Sequence, residues 1–246
     1  YGILTNIGLS HLEGFGGVEG IRKGKGELFD HLDKNGGRAF VPEEDATLCA
    51  MAAEREDLAV EYYSRAIAEG FKSNLTGDYN RFNIAAAVEI GRYFGVADER
   101  IAEAILSFSP DNNRSQAVKT ERNQLVVDCY NANPSSMEVA LDNIATMEAG
   151  HKVLILGDML ELGEWSEEAH INILRKADGI AKRIILVGKE FAKAHTIVGE
   201  ELESEYTLYP TTAEASVALE REQISDSLVL LKGSRGIKLE SLINKL

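Results

Sequence analysis

Apolar and polar positions alternate along this chain in two different rhythms. In the first hundred residues, GILTNIG and GRAFVP are short apolar runs that predict strands. Between them, VEGIRKGKGELFDHL places Val18, Ile21, Leu28, Phe29 and Leu32 at roughly helical spacing. Gly20, Gly24 and Gly26 lower the helix propensity of that stretch, so it is expected to pack closely against a neighbour. NRFNIAAAVEIGRYFG and ADERIAEAILSF predict an alanine-rich helix pair, with Gly95 as the stop of the first and Asp98 as the N-cap of the second. The acidic stretches EEDATL, EREDLAVE and EELESE are expected to be solvated helix faces or loops.

The polar segment SFSPDNNRS ends this pattern, and a domain boundary is expected between Ser109 and Asn113, with domains at 1–110 and 111–246. Beyond it the rhythm changes. The apolar runs NQLVVDCY, KVLILG, RIILVG and SLVLLKG alternate with helical patterns beginning near Pro134, Ser166, Glu190 and Ala213. Strands alternating with helices of that length imply βαβ units and a mostly parallel, doubly wound sheet. The expected class is α/β.

Composition narrows the function classes. With 246 residues, 44% hydrophobic and 27% charged, the chain is long enough for one or two proper cores. No apolar run approaches a membrane span, so no membrane insertion is expected. The net charge of -14 argues against nucleic acid as a partner, because that affinity rests on Lys and Arg neutralising phosphates. Cys49 and Cys129 stand apart without CxxC spacing, which predicts neither a zinc site nor a disulfide and fits a reducing, cytoplasmic setting. The chain opens on Tyr1 within a strand-like run and shows no basic-then-apolar leader, as expected of a piece cut from a longer protein.

Candidate chemistry collects where strands end. In open α/β sheets, ligands bind beyond the carboxyl ends of the strands, and here those ends read DCYNANPSS, LGDMLELG, VGKE and LKGSRG. Pro134 at a first helical position, with Asn133 before it as cap, predicts a helix with Met137, Leu141 and Ile144 on its buried face and its N-terminus toward the crevice. Asp128 lies where a ribose-binding acid often sits in such folds. Asn131 and Asn133 are read equally as turn-formers or as ligand contacts. In the opening segment, His11 and Glu13 offer an imidazole and a carboxylate to a divalent ion, or simply to each other. Lys25 can meet phosphate oxygens or, if carbamylated, present an oxygen ligand to a metal.

Five segments in order, TNIGLSHLEGFGGVEGIRKGKGEL, GDYNRFNIAAAVEIG, VVDCYNANPSSMEVAL, LGDMLELG and LLKGSRG, resemble the central and C-terminal domains of the Mur ligases. The resemblance covers nearly the whole chain. It implies the C-terminal part of a P-loop-type ATPase domain followed by a Rossmann-like, doubly wound domain. It implies ATP-dependent amide ligation through an acyl phosphate, with ATP and Mg2+ as cofactors. YNANPSSM and LGDMLELG direct it to the branch that joins D-alanyl-D-alanine to a UDP-N-acetylmuramoyl tripeptide in peptidoglycan synthesis. By the same resemblance His11 and Lys25 are the catalytic and metal-holding pair, and Asn80 and Asn83 contact adenine. Arg114 reaches the ATP phosphates from the linker, and Asp128 and Tyr130 contact ribose and phosphate. Asn131, Asn133, Asp158, Lys232 and Ser234 lie on the substrate side. A monomer is expected.

The sequence departs from the family pattern in two places. It contains no GTNGKT phosphate loop, whose amides and lysine cradle the β- and γ-phosphates, so the chain by itself is expected not to turn over ATP. AFVPEEDA also stands where an NADD-type segment is usual. Two alternatives remain open: a folylpolyglutamate synthase-like ligase, and a noncatalytic Rossmann-like binding module.

Overall fold

The computed structural model describes residues 1–75, 77–110 and 113–246. The chain divides into two compact units, Tyr1–Ser109 and Pro110–Leu246. Of the expected boundary segment between Ser109 and Asn113, Asp111 and Asn112 lie outside the described residues.

The first unit is a three-stranded parallel sheet covered on both faces. Its elements run β1 (Gly2–Ile3), α1 (Leu12–Phe15), α2 (Val18–Lys34), β2 (Arg38–Pro42), α3 (Ala46–Ala53), β3 (Ala59–Tyr63), α4 (Asn80–Tyr93) and α5 (Asp98–Ser107), in sheet order β1-β2-β3. Side chains alternate across β2 as the strand period requires. Ala39 and Val41 pack with Phe29, Leu32, Leu48 and Met51 of α2 and α3. Phe40 packs on the other side with Ile84, Ala85 and Val88 of α4 and Ile101 and Ile105 of α5. The glycines of α2 have the expected cause. A Cβ at Gly20 would sit 1.7 Å from the Phe15 carbonyl oxygen, and one at Gly24 would sit 2.5 Å from the Phe15 ring.

Three expectations are corrected in this unit. The strand foreseen over GILTNIG is confined to Gly2–Ile3, because only those residues find a partner on β2. EREDLAVE is not wholly a solvated stretch, since Ala59, Val60 and Glu61 enter β3, where Arg38 of β2 donates to Glu61 at 3.1 Å. Gly95 does stop α4, its N–H returning to the Arg92 carbonyl, but the N-cap of α5 is Ala97. Asp98 enters the first turn, where it is paired with Arg92 at 2.6 and 2.9 Å.

The second unit is a six-stranded sheet in the order β4-β5-β9-β6-β7-β8, parallel except for β4. Its elements are β4 (Gln116–Lys119), β5 (Gln124–Asp128), α6 (Pro134–Thr146), β6 (Lys152–Gly157), α7 (Ser166–Ala177), β7 (Arg183–Val187), α8 (Lys189–Val198), β8 (Glu205–Tyr209), α9 (Thr212–Arg221) and β9 (Leu228–Lys232). A 3-10 segment, Leu239–Lys245, follows. The four foreseen strands are present, and α6 to α9 begin within one residue of the expected positions. The edge strands β4 and β8 were not foreseen, and Glu205 of EELESE opens β8 rather than a loop.

The chain order fixes which face each helix covers. From β5 to β8 the chain steps across the sheet in one direction, so right-handed crossovers place α6, α7 and α8 on one face. From β8 it reverses to insert β9 between β5 and β6, which puts α9 on the other face. There Ala215, Leu219, Leu239, Leu242 and Leu246 pack on the odd positions Leu125, Val127, Val153, Ile155, Val229 and Leu231. The even positions Val126, Leu154, Leu156 and Leu230 are buried as well, as a sheet covered on both faces demands. Among the described residues, no helix is long and apolar enough to cross a membrane.

Candidate functional site

The reversal of chain direction makes a topological switch point at the carboxyl end of β9, where the chain after β9 and the chains after β5 and β6 leave toward opposite faces, the place where open α/β sheets form their ligand crevice. The foreseen polar residues of the second unit collect there. Asp128 ends β5 and Lys232 ends β9 as direct register partners, and the Lys232 ammonium donates to the Asp128 carboxylate at 2.6 Å. The Lys232 side chain is 1% exposed and that of Asp128 17%, so this is a largely desolvated ion pair. A second donor, the Ser115 amide, reaches the other Asp128 oxygen at 3.2 Å, and Lys232 also approaches the Asn131 carbonyl at 3.4 Å.

Ser234, buried just beyond β9, ties three loops together. Its hydroxyl accepts from the Leu160 amide at 2.9 Å and donates to the Ala132 carbonyl at 3.3 Å, while its own amide donates to the Asp158 carbonyl at 3.1 Å. Asn133 caps α6 as expected: its side chain accepts from the Ser136 amide at 2.9 Å, and the Ser136 hydroxyl answers with a contact of 3.1 Å to the Asn133 amide. Asn131 is exposed and turns its side-chain oxygen to the following amide of Ala132. Both asparagines therefore build the turn that aims α6 at the crevice, and Asn131 stays open to solvent beside it.

Asp158 has a more structural position than its sequence suggests. It is 4% exposed and accepts the Glu190 and Phe191 amides at 3.0 and 2.9 Å, capping α8 from the neighbouring loop. Gly188 makes this approach possible, since a Cβ there would lie 2.2 Å from the carboxylate and the backbone has φ +128°. Tyr130 is 40% exposed, with the Arg114 guanidinium 3.8 Å from its ring centre and that of Arg235 at 5.7 Å. The Arg114 guanidinium stacks on the ring and that of Arg235 lies farther off it, as cation–π attraction favours. Arg235 was not singled out in the sequence, where it is only one residue of LKGSRG.

In the first unit, His11 is exposed and sits at the N-cap of α1 in the left-handed conformation, φ 59° and ψ 36°. Glu13 follows in the first turn. Lys25 projects from α2 and donates to the Asn6 carbonyl at 3.1 Å, and burial lowers its pKa. Asn80 and Asn83 meet at the start of α4, where the Asn83 amide donates to the Asn80 side-chain oxygen at 3.0 Å. In AFVPEEDA, Asp45 caps α3 through the Leu48 amide, and Glu44 accepts from the Ser64 hydroxyl and the Arg65 amide. Both of these acids are held by the fold.

Among the described residues, no group of three or more His, Cys, Asp or Glu side chains is placed to hold a metal. Neither cysteine sits in surroundings that favour its thiolate. Burial pushes the Cys129 thiol up to about 12, and Cys49 is raised by burial and by Asp45, Glu43 and Glu44. His170 escaped notice in the sequence, yet it is fully buried beside Asp158. The available signal was a histidine on the apolar face of SEEAHINILRKA, in line with Ile173, Leu174 and Ala177.

Two α/β units, the second with polar residues gathered at a sheet reversal, form an architecture of the class that binds ligands at strand ends. Residues 113–235 match the Mur ligase, glutamate ligase domain, and residues 1–69 match the Mur ligase middle domain. The chain belongs to the Mur ligase family. It is 28% identical, over 99% of its length, to the UDP-N-acetylmuramoyl-tripeptide--D-alanyl-D-alanine ligase of Bacillus subtilis (strain 168), of which it spans 58%. It superimposes on MurF from Acinetobacter baumannii with a TM-score of 0.80 at 25% identity, covering 99% of this chain and 58% of that one. MurF from Thermotoga maritima in complex with ADP shares the fold with a TM-score of 0.78 at 20% identity, covering 99% and 60%. The chain thus spans under two thirds of the length of the relatives it matches.

Proposed function

We propose that this chain is the C-terminal part of an ATP-dependent amide ligase that adds D-alanyl-D-alanine to a UDP-N-acetylmuramoyl tripeptide in peptidoglycan synthesis. The observation that carries the reading is the match of both units, in series and over 99% of the chain, to a ligase of that named activity. In the full protein a substrate carboxylate oxygen attacks the γ-phosphorus of ATP, and the bond to ADP breaks to leave an acyl phosphate. The dipeptide amine then attacks the acyl carbon, losing a proton and expelling phosphate. Positioning and charge neutralisation supply the catalysis of such a transfer.

This chain's residues take the following parts in that reading. Asn80 and Asn83 present amide edges to adenine. Arg114, Asp128 and Tyr130 receive the ribose and phosphates, with Arg235 adding a second cation beside the ring. Asn131, Asn133, Lys232 and Ser234 shape the substrate side, and Asp158 acts by fixing the loop they adjoin. His11 and Lys25 serve Mg2+, which supplies neutralisation of phosphate charge when bound. The lowered pKa of Lys25 favours the neutral amine that carbamylation requires, and a carbamate replaces a cation with an anionic oxygen donor. The enzyme works in the cytoplasm as a monomer, inserting into no membrane and binding no nucleic acid. The chain by itself, with no glycine-rich phosphate loop in its sequence, does not hydrolyse ATP.

The test is an assay of the full-length protein with ATP, Mg2+, the muramoyl tripeptide and D-alanyl-D-alanine, alongside a folate substrate with glutamate. Ligation of the dipeptide is expected. Activity on folate alone would replace the reading by a folylpolyglutamate synthase-like one, and nucleotide binding without ligation would favour a binding module. In the same assay Lys25→Ala should reduce turnover by about a hundredfold or more while the protein stays folded, the scale of losing one preorganised electrostatic group. Undiminished turnover would remove Lys25 from the site.

A further inference from the structure

The residue that organises the loop after β6 is a histidine outside the crevice. His170 lies on α7 with no exposed surface, its ring edge-on to Phe191 at 4.6 Å. Both ring nitrogens are engaged. Nε2 faces the Met159 amide at 3.0 Å, and Nδ1 faces the Ser166 carbonyl at 2.7 Å. An amide can only donate and a carbonyl can only accept, so the pair of contacts dictates one tautomer: proton on Nδ1, lone pair on Nε2. A protonated ring would set an Nε2–H against the Met159 N–H, two donors face to face in a buried site.

The loop held in this way borders the switch point at the end of β9. Asp158, immediately before Met159, caps α8, and Leu160, immediately after it, donates to Ser234. Ser234 in turn holds the Ala132 carbonyl of the loop that carries Asn131 and Asn133. Met159 is thus the middle of three consecutive anchored residues, and its anchor is an imidazole nitrogen.

We infer that His170 is a positioning residue: as a neutral, Nδ1-protonated imidazole it latches the Asp158–Leu160 loop and so sets the spacing of that loop against the proposed substrate-side residues Asn131, Asn133 and Ser234 of the loops after β5 and β9. The latch is proton-sensitive. Burial lowers the pKa of His170, opposed by the Ser166 carbonyl on its own helix, by Asp158, whose carboxylate lies 3.9 Å from Nε2, and by Glu190 of α8, with Lys193 of α8 acting in the same sense as burial. Acidification that protonates the ring removes the acceptor from Met159 and offers its new N–H to Asp158, drawing that carboxylate away from the α8 cap.

Two sets of measurements test this. On the 246-residue chain, labelled-histidine NMR should find His170 with a protonated Nδ1 and a bare Nε2 at neutral pH; the opposite tautomer, or a charged ring, would overturn the proposal without any variant being made. Exchange of the Met159 amide should accelerate about tenfold or more in His170→Leu but not in His170→Gln, whose side-chain oxygen can replace Nε2, while β6 amides keep their protection. Equal exchange in the two variants would also overturn it. The second set rests on the proposed ligase reading and uses the full-length enzyme. His170→Leu should raise KM for D-alanyl-D-alanine about tenfold and leave KM for ATP within about twofold, with His170→Gln restoring the former. Parallel changes in both constants would refute the positioning role. An enzyme that ligates no dipeptide would defeat the functional reading instead, while the NMR results still decide the state of His170.

Discussion

At the scale of single residues, the second unit is defined by buried polar groups whose partners come from other loops. Lys232 is the extreme case, an ammonium almost wholly removed from water and satisfied by Asp128. Removing one member of such a pair leaves an uncompensated charge, whereas replacing both with apolar groups can be nearly neutral. Asp128→Ala should therefore lower unfolding stability by about 3 kcal/mol, and Asp128→Ala combined with Lys232→Met should recover most of it. Urea titrations of the three proteins measure this, and a double variant no better than the single one would show that the pair is not the cause. Gly188 is a second such point. Its positive φ and the nearby Asp158 carboxylate leave no room for a methyl group, so Gly188→Ala should cost roughly 2 kcal/mol or more. A loss of only a few tenths in the same titration would mean that the loop can yield.

At the scale of elements, helix N-termini are capped by side chains that differ in how visible they are in sequence. Asn133 caps α6 from the adjacent position, in a motif with Pro134 next to it, and could be read directly. Asn133→Ala should destabilise the second unit by about 1 kcal/mol through the lost cap. On the proposed ligase function, the same change in the full-length protein should raise KM for the dipeptide more than KM for ATP; the reverse order would mean that the crevice has been assigned backwards. Asp158 caps α8 from thirty-odd residues upstream, with no local signature, so sequence gave only a polar residue in a strand-end loop. Asp98 shows the converse. Its position fits an N-cap by rule, but Arg92 across the turn offers a two-point ion pair, and Ala97 takes the cap position instead.

At the scale of the whole molecule, titration links stability to pH. Burial lowers the pKa of His170 below its ordinary 6.5, so as pH falls through that value the unfolded chain binds a proton that the folded chain still refuses. The stability contributed by the neutral ring is complete above pH 6.5 and is lost as pH drops toward the folded value. Asp178 follows in a lower window. Burial would raise its pKa, but donors from Glu203, Ser204 and Tyr206 outweigh that and depress it, so its contribution fades only in the carboxylate range. Thermal unfolding at graded pH should show both declines, and His170→Gln should abolish the first alone. Persistence of the first decline in that variant would assign it to another group. The net charge of -14 leads to a further expectation, that the chain shows no retention on duplex DNA in about 0.15 M salt, since few phosphates could be neutralised. Retention there would mean a local basic surface outweighs the total.

What the sequence by itself determined is whatever neighbours along the chain can settle. Short apolar runs and helical apolar patterns located the four central strands and α6 to α9, the glycines of α2 foretold a close-packed neighbour, which the structure identifies as Phe15, and Asn133–Pro134 announced a helix start. The tertiary structure alone decided the rest. The edge strands β4 and β8 carry weak patterns because one side of each faces solvent, and they exist because the central strands supply hydrogen-bond partners. The pairing of Asp128 with Lys232 and the latch of His170 on Met159 join residues brought together by the insertion of β9 between β5 and β6 and by the packing of α7 on the sheet. Burial turns those meetings into constraints: a charge or lone pair removed from water must find its complement in space, wherever in the chain that complement lies.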